Sequence, residues 1–395
     1  MKQLTFAFSL LLAIFLTSCC CTKPKGASVT SSEPTRPKLI DLSWNIPDVD
    51  FLEKYLDEIE KTTPFDGLTI AAKGTTVTVN GAEFKPWFWS FWGNTPMKYG
   101  YFKDFVKRMN KLKFTKCKDN FFYLTTNEAK FDWFSDKDWE IVAANFGIAA
   151  RVAKETGFKG FLLDIEEYGM PMWGYDTEKE EKPFGEASLV AFKRGQQWGR
   201  AVFKEFPDII LFMPFCLSMS RWYEFSKKSR QLFSSFLNGI VDVMPPQARI
   251  YEGEELDSYN ASNPEEYRRL RKNLQNSIEM FGFTNYRAKM KKQFKLTPGF
   301  YIDSYFYLPP ENGWVKGLQP ELDAAPNRVV FFCNNLASAF AVADDYVWLY
   351  SEHRCWWNRH GERAPQDELW DEAPGAQGLT DAIRAVRVLE NEADK

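Results

Sequence analysis

The sequence predicts an α/β protein, a single (β/α)8 TIM-type barrel with enlarged, aromatic-rich loops between its strands and helices. From residue 39 onward, short apolar runs alternate with longer amphipathic stretches, the pattern of a parallel sheet covered by helices. We count eight strand–helix units, the number that closes one barrel domain over 39–395. Hydrophobic residues make up 45% of the chain, enough to build the core of such a domain.

Each predicted strand is a short apolar run bounded by turn residues. In chain order, these runs lie at 39–44, 67–71, 121–126, 160–166, 209–215, 239–244, 299–304 and 346–351. The stretches between them include apolar residues at helical spacing. Helices are therefore predicted at 49–61, 137–156, 187–206, 264–281, 327–343 and 380–391.

A doubly wound open sheet is the rival architecture. Such a sheet usually carries a glycine-rich phosphate turn after its first strand. Here that turn reads Trp44-Asn45-Ile46-Pro47-Asp48 and contains no glycine. The barrel is therefore preferred.

The amino terminus is predicted to be a signal for export. Residues 1–18 contain one Lys and then an apolar run that is too short to span a bilayer comfortably. Leu16-Thr17-Ser18-Cys19 resembles the bacterial lipobox, which implies that Cys19 carries a lipid. No Asp follows Cys19, so the resemblance implies anchoring at the outer membrane or cell surface. The alternative is a plain secreted protein in which these cysteines are incidental.

Residues 19–38 are predicted to be a lipidated Cys followed by a flexible tether, because Ser, Thr, Pro and Lys dominate 22–38. In the whole chain, 50 Lys and Arg face 53 Asp and Glu, a net charge of −3. That balance argues against a nucleic-acid partner.

Cysteine and histidine spacing predicts neither a metal site nor any other cofactor. Cys117, Cys216, Cys333 and Cys355 are far apart in the sequence, which fits at most one or two disulfides and no zinc knuckle. The chain has two His, at 353 and 360, without metal-ligand spacing. No G-x-S-x-G turn or phosphate loop is present either.

The end of the fourth predicted strand is the most informative position, because barrel active sites lie at the carboxyl ends of the strands. Strand alternation places apolar residues on the face toward the helices: Phe161, Leu163 and Ile165. Asp164 and Glu166 then point into the barrel mouth, while Glu167 turns away. Neighbouring carboxylates raise each other's pKa, which suits one of them to general acid catalysis. The alternative is a solvated acidic loop.

Residues 160–166 resemble the strand-four signature of family 18 glycoside hydrolases, Asp-Gly-x-Asp-x-Asp-x-Glu. Gly160 matches its glycine, Asp164 its last aspartate and Glu166 its catalytic acid, whereas Lys159 and Leu162 replace its other aspartates. The resemblance implies that Glu166 protonates the glycosidic oxygen. It also implies that Asp164 positions an N-acetyl group that acts as nucleophile.

Other strand ends offer a second carboxylate for a conventional pair with Glu166. The candidates are Glu352 after strand eight, Asp303 in strand seven and Glu252 beyond strand six. Each is equally able to be a structural partner of an Arg. The distance between the paired carboxyl groups would decide between retention and inversion.

Aromatic residues cluster in the loops at 86–94 and 353–358, where indole faces could pack on sugar rings. The alternative is that they form a core beneath the loops. The residues predicted to bind substrate are Trp89, Trp92, Asn127, Tyr301, Trp348 and Trp356. Asn45 is a further polar candidate at the rim.

Two functions follow from these patterns. The first is an exported, lipid-anchored glycoside hydrolase that acts on an oligosaccharide or polysaccharide. The second is a surface glycan-binding lipoprotein on a barrel that has lost catalysis, which the apolar Leu162 motivates. Fold alone does not separate the two.

Overall fold

The computed structural model describes residues 36–126, 129–167, 172–176, 178–224, 229–307, 315, 317–361 and 368–393. The predicted signal peptide, the lipidation at Cys19 and the tether up to residue 35 lie outside these ranges and stay predictions. Among the described helices, none combines the length and the apolar composition needed to cross a bilayer.

Strands and helices alternate along most of the described chain. The strands are β1 Lys38–Ser43, β2 Gly67–Ile70, β3 Val77–Val79, β4 Ala82–Phe84, β5 Phe121–Thr125, β6 Gly160–Asp164, β7 Gly174–Asp176, β8 Ile210–Met213, β9 Ser229–Gln231, β10 Arg249–Glu252, β11 Phe294–Leu296, β12 Gly299–Tyr301 and β13 Tyr346–Ser351. The helices are α1 Val49–Thr62, α2 Lys103–Met109, α3 Asp136–Glu155, α4 Phe184–Glu205, α5 Leu217–Glu224, α6 Phe233–Val243, α7 Glu255–Tyr259, α8 Pro264–Phe281, α9 Arg287–Gln293, α10 Asp303–Phe306, α11 Gln319–Ala324, α12 Arg328–Val342 and α13 Leu379–Ala393.

The prediction of a closed eight-stranded barrel is wrong. The main sheet has nine parallel strands in the order β11-β10-β8-β6-β5-β2-β1-β13-β12, and it curls through 293° without closing. The strand predicted at 299–304 ends at Tyr301, and a second three-residue strand precedes it across Thr297 and Pro298. Of the two, β11 pairs with β10 and β12 with β13. These two short strands are therefore the two edges of the sheet.

The predicted strand at 239–244 is also wrong, because these residues belong to α6. Gly239 is a packing residue between helices: a Cβ there would lie 2.0 Å from the carbonyl oxygen of Phe192 in α4. Gly195 has the same role in reverse, with a Cβ at 1.9 Å from the carbonyl oxygen of Phe236. The strand that takes the place of the predicted sixth strand is β10, which begins ten residues later than predicted.

Most other predicted elements are confirmed within three residues at each end. The helices predicted at 49–61, 137–156, 264–281 and 327–343 correspond to α1, α3, α8 and α12. Local signals explain their starts, since the side chains of Asp48, Ser135, Asn263 and Asn327 each accept a hydrogen bond from a first-turn N–H.

The curled sheet has a buried inner face and a helix-covered outer face. Phe161, Leu163 and Ile165 belong to the large cluster beneath the helices, which confirms the predicted alternation of β6. Leu162 lies in the smaller inner cluster. The other inner residues include Ile40, Leu42, Phe121, Phe212, Tyr251, Tyr301, Tyr346 and Trp348. This packing fills the interior and leaves the carboxyl ends of the strands as the place for polar side chains.

Candidate functional site

Asp164 ends β6 on the inner face and is buried. Its Oδ2 accepts a hydrogen bond from the Tyr123 hydroxyl at 3.1 Å, and its Oδ1 accepts one from the Glu166 amide at 3.0 Å. The Thr126 hydroxyl donates to the carbonyl oxygen of Glu166. These bonds fix the backbone of half-buried Glu166 directly beyond the strand.

Glu167 has a different role from its neighbour. One of its carboxylate oxygens accepts backbone hydrogen bonds from Met172 at 2.5 Å, Gly174 at 3.2 Å and Trp173. The Trp173 indole in turn donates to the carbonyl oxygen of Ile165 at 2.9 Å. Glu167 therefore stabilises the loop that follows β6, which agrees with its predicted orientation away from the mouth.

Glu255, which sequence reasoning did not single out, reaches the same region. It is half-buried, and its Oε1 lies 2.9 Å from the hydroxyl of Tyr259, one turn later in α7. Burial, followed by the negative charges of Glu166 and Asp164, raises the pKa of the Glu255 carboxyl well above its ordinary value. Glu255 follows β10, which pairs with β8 as β8 pairs with β6, so Glu255 lies at the same edge of the sheet as Asp164 and Glu166.

The turn before Glu255 is held from several directions. The carboxylate of Glu252, which is fully buried, accepts hydrogen bonds from the Cys216 amide and the Ser218 hydroxyl, each at 2.8 Å. A Cβ on Gly253 would lie 2.1 Å from the carbonyl oxygen of Pro214, so that position requires glycine. Glu254 has φ 49° and ψ 40°, the left-handed region, and forms an ion pair with Arg221.

Tyrosine side chains lie between Glu255, which follows β10, and Glu352, which follows β13. The Tyr301 hydroxyl donates to Oε2 of Glu352 at 2.6 Å. The Tyr301 ring lies 5.7 Å from Tyr259 and 5.1 Å from Tyr350, measured between centroids. Burial, and then its hydrogen bond to Glu352, raises the pKa of Tyr301, so its hydroxyl keeps its proton at neutral pH.

Asp303, predicted as a catalytic candidate, is fully buried at the start of the short helix α10. Its carboxylate accepts hydrogen bonds from the amides of Glu352 at 2.9 Å and His353 at 3.0 Å, and it also lies 3.0 Å from His353 Nδ1. This arrangement positions the segment that carries Glu352. Glu252 has the corresponding role for the loop after β8.

The predicted sugar-binding residues divide between the rim and the core. Trp89 is half-buried and packs on Phe88 at 4.6 Å, and Phe88 packs on Tyr123 at 5.1 Å. Tyr301 lies within the tyrosine group. The remaining aromatic candidates, Trp92, Trp348 and Trp356, are buried in the core and do not line this edge. Asn127 lies outside the described residues.

Trp44 adds an aromatic face that the sequence analysis did not select. Its side chain is 57% exposed, and its indole N–H donates to the Tyr350 hydroxyl. It follows β1 directly, so it stands at the same edge of the sheet as Glu166 and Glu255. Asn45, the predicted rim residue, accepts a hydrogen bond from Arg359 Nε at 2.8 Å.

We define the acidic cleft as the carboxyl edge of the sheet that contains Asp164, Glu166, Glu255, Glu352, Tyr123, Tyr259, Tyr301 and Tyr350. In the part of the chain that the structure describes, no group of three His, Cys, Asp or Glu side chains is placed to hold a metal ion. The cysteines at 117, 216, 333 and 355 are buried free thiols. The chemistry that this cleft can offer is proton transfer and charge stabilisation by carboxyl and phenol groups.

A sequence signal for Glu255 did exist. The segment Glu252-Gly253-Glu254-Glu255 follows an apolar run, as the acidic segment after β6 does. Because the sixth strand was predicted at 239–244, these glutamates were placed beyond a strand end instead of directly at one. The strand that precedes Glu255 is β10, which was not among the predicted strands.

The sequence and the structure were compared with those of known proteins. No protein-family model and no curated protein matches the chain. Among solved structures, the chain is similar to the apo form of 3-keto-D-glucoside 4-epimerase from E. coli. The identity is 10% and the TM-score 0.39, over 89% of this chain and 100% of that one. A similarity at that level carries no argument about the activity of this chain.

Proposed function

We propose that the chain is a glycoside hydrolase that cleaves an oligosaccharide or polysaccharide in the acidic cleft. The observation that carries the proposal is the position of four carboxyl groups at one edge of a curled parallel sheet: Asp164 and Glu166 at the end of β6, Glu255 after β10 and Glu352 after β13. Glycosidic cleavage needs two carboxyl groups in different protonation states. The raised pKa of Glu255 next to the charges of Glu166 and Asp164 supports such a division.

The surroundings of the cleft also suit a sugar. Tyr123, Tyr301 and Tyr350 provide hydroxyl groups that can exchange hydrogen bonds with sugar hydroxyls. Trp44 and Trp89 provide apolar ring faces at the rim, on which the C–H faces of a sugar can pack. The predicted export signal and lipid anchor at Cys19 would place this reaction outside the cytoplasm.

The test begins with a panel of aryl glycosides that differ in sugar and anomeric configuration, with turnover followed by release of the aryl alcohol. On the glycoside that the wild type cleaves, Glu166→Gln is expected to lower kcat about 10² to 10⁴ fold, the range for loss of an acid–base group. Glu265→Gln, an exposed position in α8, serves as the matched control and should keep wild-type turnover.

Two outcomes would contradict the proposal. Undiminished turnover by Glu166→Gln would remove the carboxylates after β6 from the mechanism. Calorimetric binding of an oligosaccharide without release of reducing ends would favour the non-catalytic glycan-binding alternative instead.

A further inference from the structure

We propose that Glu255 is the general acid of the acidic cleft, the group that donates a proton to the oxygen leaving the anomeric carbon. The inference rests on the proposed glycosidic hydrolysis. It moves the acid away from Glu166, to which the motif resemblance assigns it, and gives Glu166 the role of base.

Strand register aligns the carboxyl ends of the two strands that precede these glutamates. Leu162 of β6 pairs with Phe212 of β8, and Phe212 pairs with Tyr251 of β10. Glu166 and Glu255 each follow their paired residue by four positions. Neighbouring strands are about 4.8 Å apart, so two steps across the sheet separate the backbones by roughly 10 Å, and side chains that converge within the curl come closer. Carboxyl groups about 6.5 to 9.5 Å apart leave room for a water molecule between them.

The backbone directly before Glu255 is conformationally strained. Gly253 allows a close approach to Pro214 that a larger residue would prevent, and Glu254 takes up a left-handed conformation that non-glycine residues rarely adopt. Its ion pair with Arg221 holds that conformation. Such strain persists where the surrounding structure fixes it, and it is common at functional sites. Here the strained turn comes directly before Glu255 and positions it at the acidic cleft.

Glu255 differs from the structural carboxylates around it in its hydrogen-bond donors. Glu167, Glu252 and Asp303 each accept at least two backbone N–H groups. Burial raises the pKa of Glu252 and of Asp303, and these hydrogen bonds offset part of that rise. For Glu255, the structure gives the Tyr259 hydroxyl as a partner, and Glu252 adds a further negative charge to those of Asp164 and Glu166. Burial and these charges raise the pKa of Glu255 well above its ordinary value, which favours its protonated form. Burial raises the pKa of Tyr301 and of Tyr350, the phenols on the far side of Tyr259.

The step balances as a single displacement. The bond between the anomeric carbon and the bridging oxygen breaks, and its electron pair stays with that oxygen, which takes the proton of Glu255. A water molecule adds its oxygen to the anomeric carbon and gives a proton to Glu166. The products are two alcohol groups, and Glu166 returns its proton to Glu255 through solvent before the next turnover.

Leaving-group dependence separates the acid from the base. With the glycone that the wild type cleaves, Glu255→Gln should lose about 10³-fold in kcat/KM on the methoxyphenyl glycoside, and less than about tenfold on the dinitrophenyl glycoside. The dinitrophenolate leaves without protonation, so it does not need the acid. Glu255→Gln should also lose the alkaline limb of the pH profile. For Glu166→Gln, kcat/KM should fall on both substrates. The inference would be overturned if Glu255→Gln lost activity on both substrates and Glu166→Gln on the methoxyphenyl glycoside alone.

Infrared difference spectroscopy tests the protonation of Glu255 without any substrate. At neutral pH, Glu255→Gln should lose one C=O band of a protonated carboxylic acid relative to the wild type. Glu265→Gln, at an exposed position in α8, should keep that band. An unchanged spectrum for Glu255→Gln overturns the inference even where hydrolysis is seen. If the wild type cleaves no glycoside, the proposed function fails and the catalytic role of Glu255 fails with it, whereas the infrared result still reports whether the carboxyl is protonated.

Discussion

Two acidic turns border the acidic cleft, and they use similar residues in opposite order. After β6, Asp164 and Glu166 come first and the loop-stabilising Glu167 last. After β10, the loop-stabilising Glu252 comes first and Glu255 last. In both turns, the carboxylate that stabilises the loop accepts several backbone N–H groups, while a neighbour in the sequence faces the cleft.

The comparison teaches that the donors around a carboxyl group, rather than the acidic motif, decide what the group does. Backbone N–H groups offset the cost of burying a charge. A buried carboxyl group that lacks them is better stabilised with its proton in place.

Asp41 is the strongest test, because it is fully buried in β1 and its Oδ1 has no hydrogen-bond partner among the described residues. Burial raises its pKa from 3.8 to about 8, partly offset by the Ser43 hydroxyl at 3.1 Å. The folded state therefore keeps a proton that the unfolded chain loses. Its contribution lowers the free energy of unfolding as pH rises from 3.8 to about 8, by a total on the order of 5 kcal/mol.

Asp41→Asn should remove this contribution. Urea unfolding at pH 5 and pH 8 should show that the variant gains stability relative to the wild type as pH rises. Because other buried carboxyl groups also titrate, the difference between the two proteins is the quantity to compare. Asp57→Asn, at an exposed position in α1, should leave the pH dependence as it is. An identical pH dependence in Asp41→Asn would break the rule.

Gly253→Ala should damage the second turn specifically. Its Cβ would lie 2.1 Å from the carbonyl oxygen of Pro214, so the backbone must shift, at a cost of about 3 kcal/mol of stability. Gly100→Ala is a suitable control, because nothing lies within 4 Å of a Cβ at that position. Urea midpoints of the two variants measure the difference, and equal midpoints would show that the turn tolerates movement.

Glu167→Ala should cost about 2 kcal/mol of stability, since it leaves the amides of Met172, Trp173 and Gly174 without their carboxylate acceptor. Glu166→Ala should lose turnover and a smaller share of stability. Chemical denaturation and activity of the two variants, measured side by side, sharpen the comparison within one turn. If turnover falls further in Glu167→Ala at matched folding stability, the register of β6 is not as we describe it.

The sequence pattern predicted most of the individual helices and strands, although not the open sheet, because local signals and packing agree in those elements. In β6, the apolar residues 161, 163 and 165 face the helices as expected, and α8 begins and ends at its predicted residues. The segment at 239–244 failed because an apolar run of strand length also fits a buried helix. Gly239 in this segment is required by the close packing of α4 on α6, and a local sequence pattern holds no information about that contact.

The residues of the candidate site were predicted less completely than the helices and strands. Asp164, Glu166 and Glu352 lie in the acidic cleft, because strand alternation and strand ends are readable from the sequence. Trp92, Trp348 and Trp356 occupy the core, since an indole suits packing and ligand binding equally well. Glu255 depended on the correct strand, and the tyrosine contacts between distant strands depend on the three-dimensional structure alone.

The seam at Thr297 and Pro298 has a consequence for association between molecules. An open sheet exposes edge strands to which another chain could add, and edge pairing is a route to aggregation. Here each edge strand is three residues long, and the two edges are joined by a dipeptide of the same chain. Within the seam, the Thr297 hydroxyl donates to the Tyr346 carbonyl oxygen at 2.8 Å, and the Trp348 indole donates to the Thr297 carbonyl oxygen at 2.9 Å. The chain thus shields its own edges from strand exchange, and the sheet stays open without offering a template to a second copy.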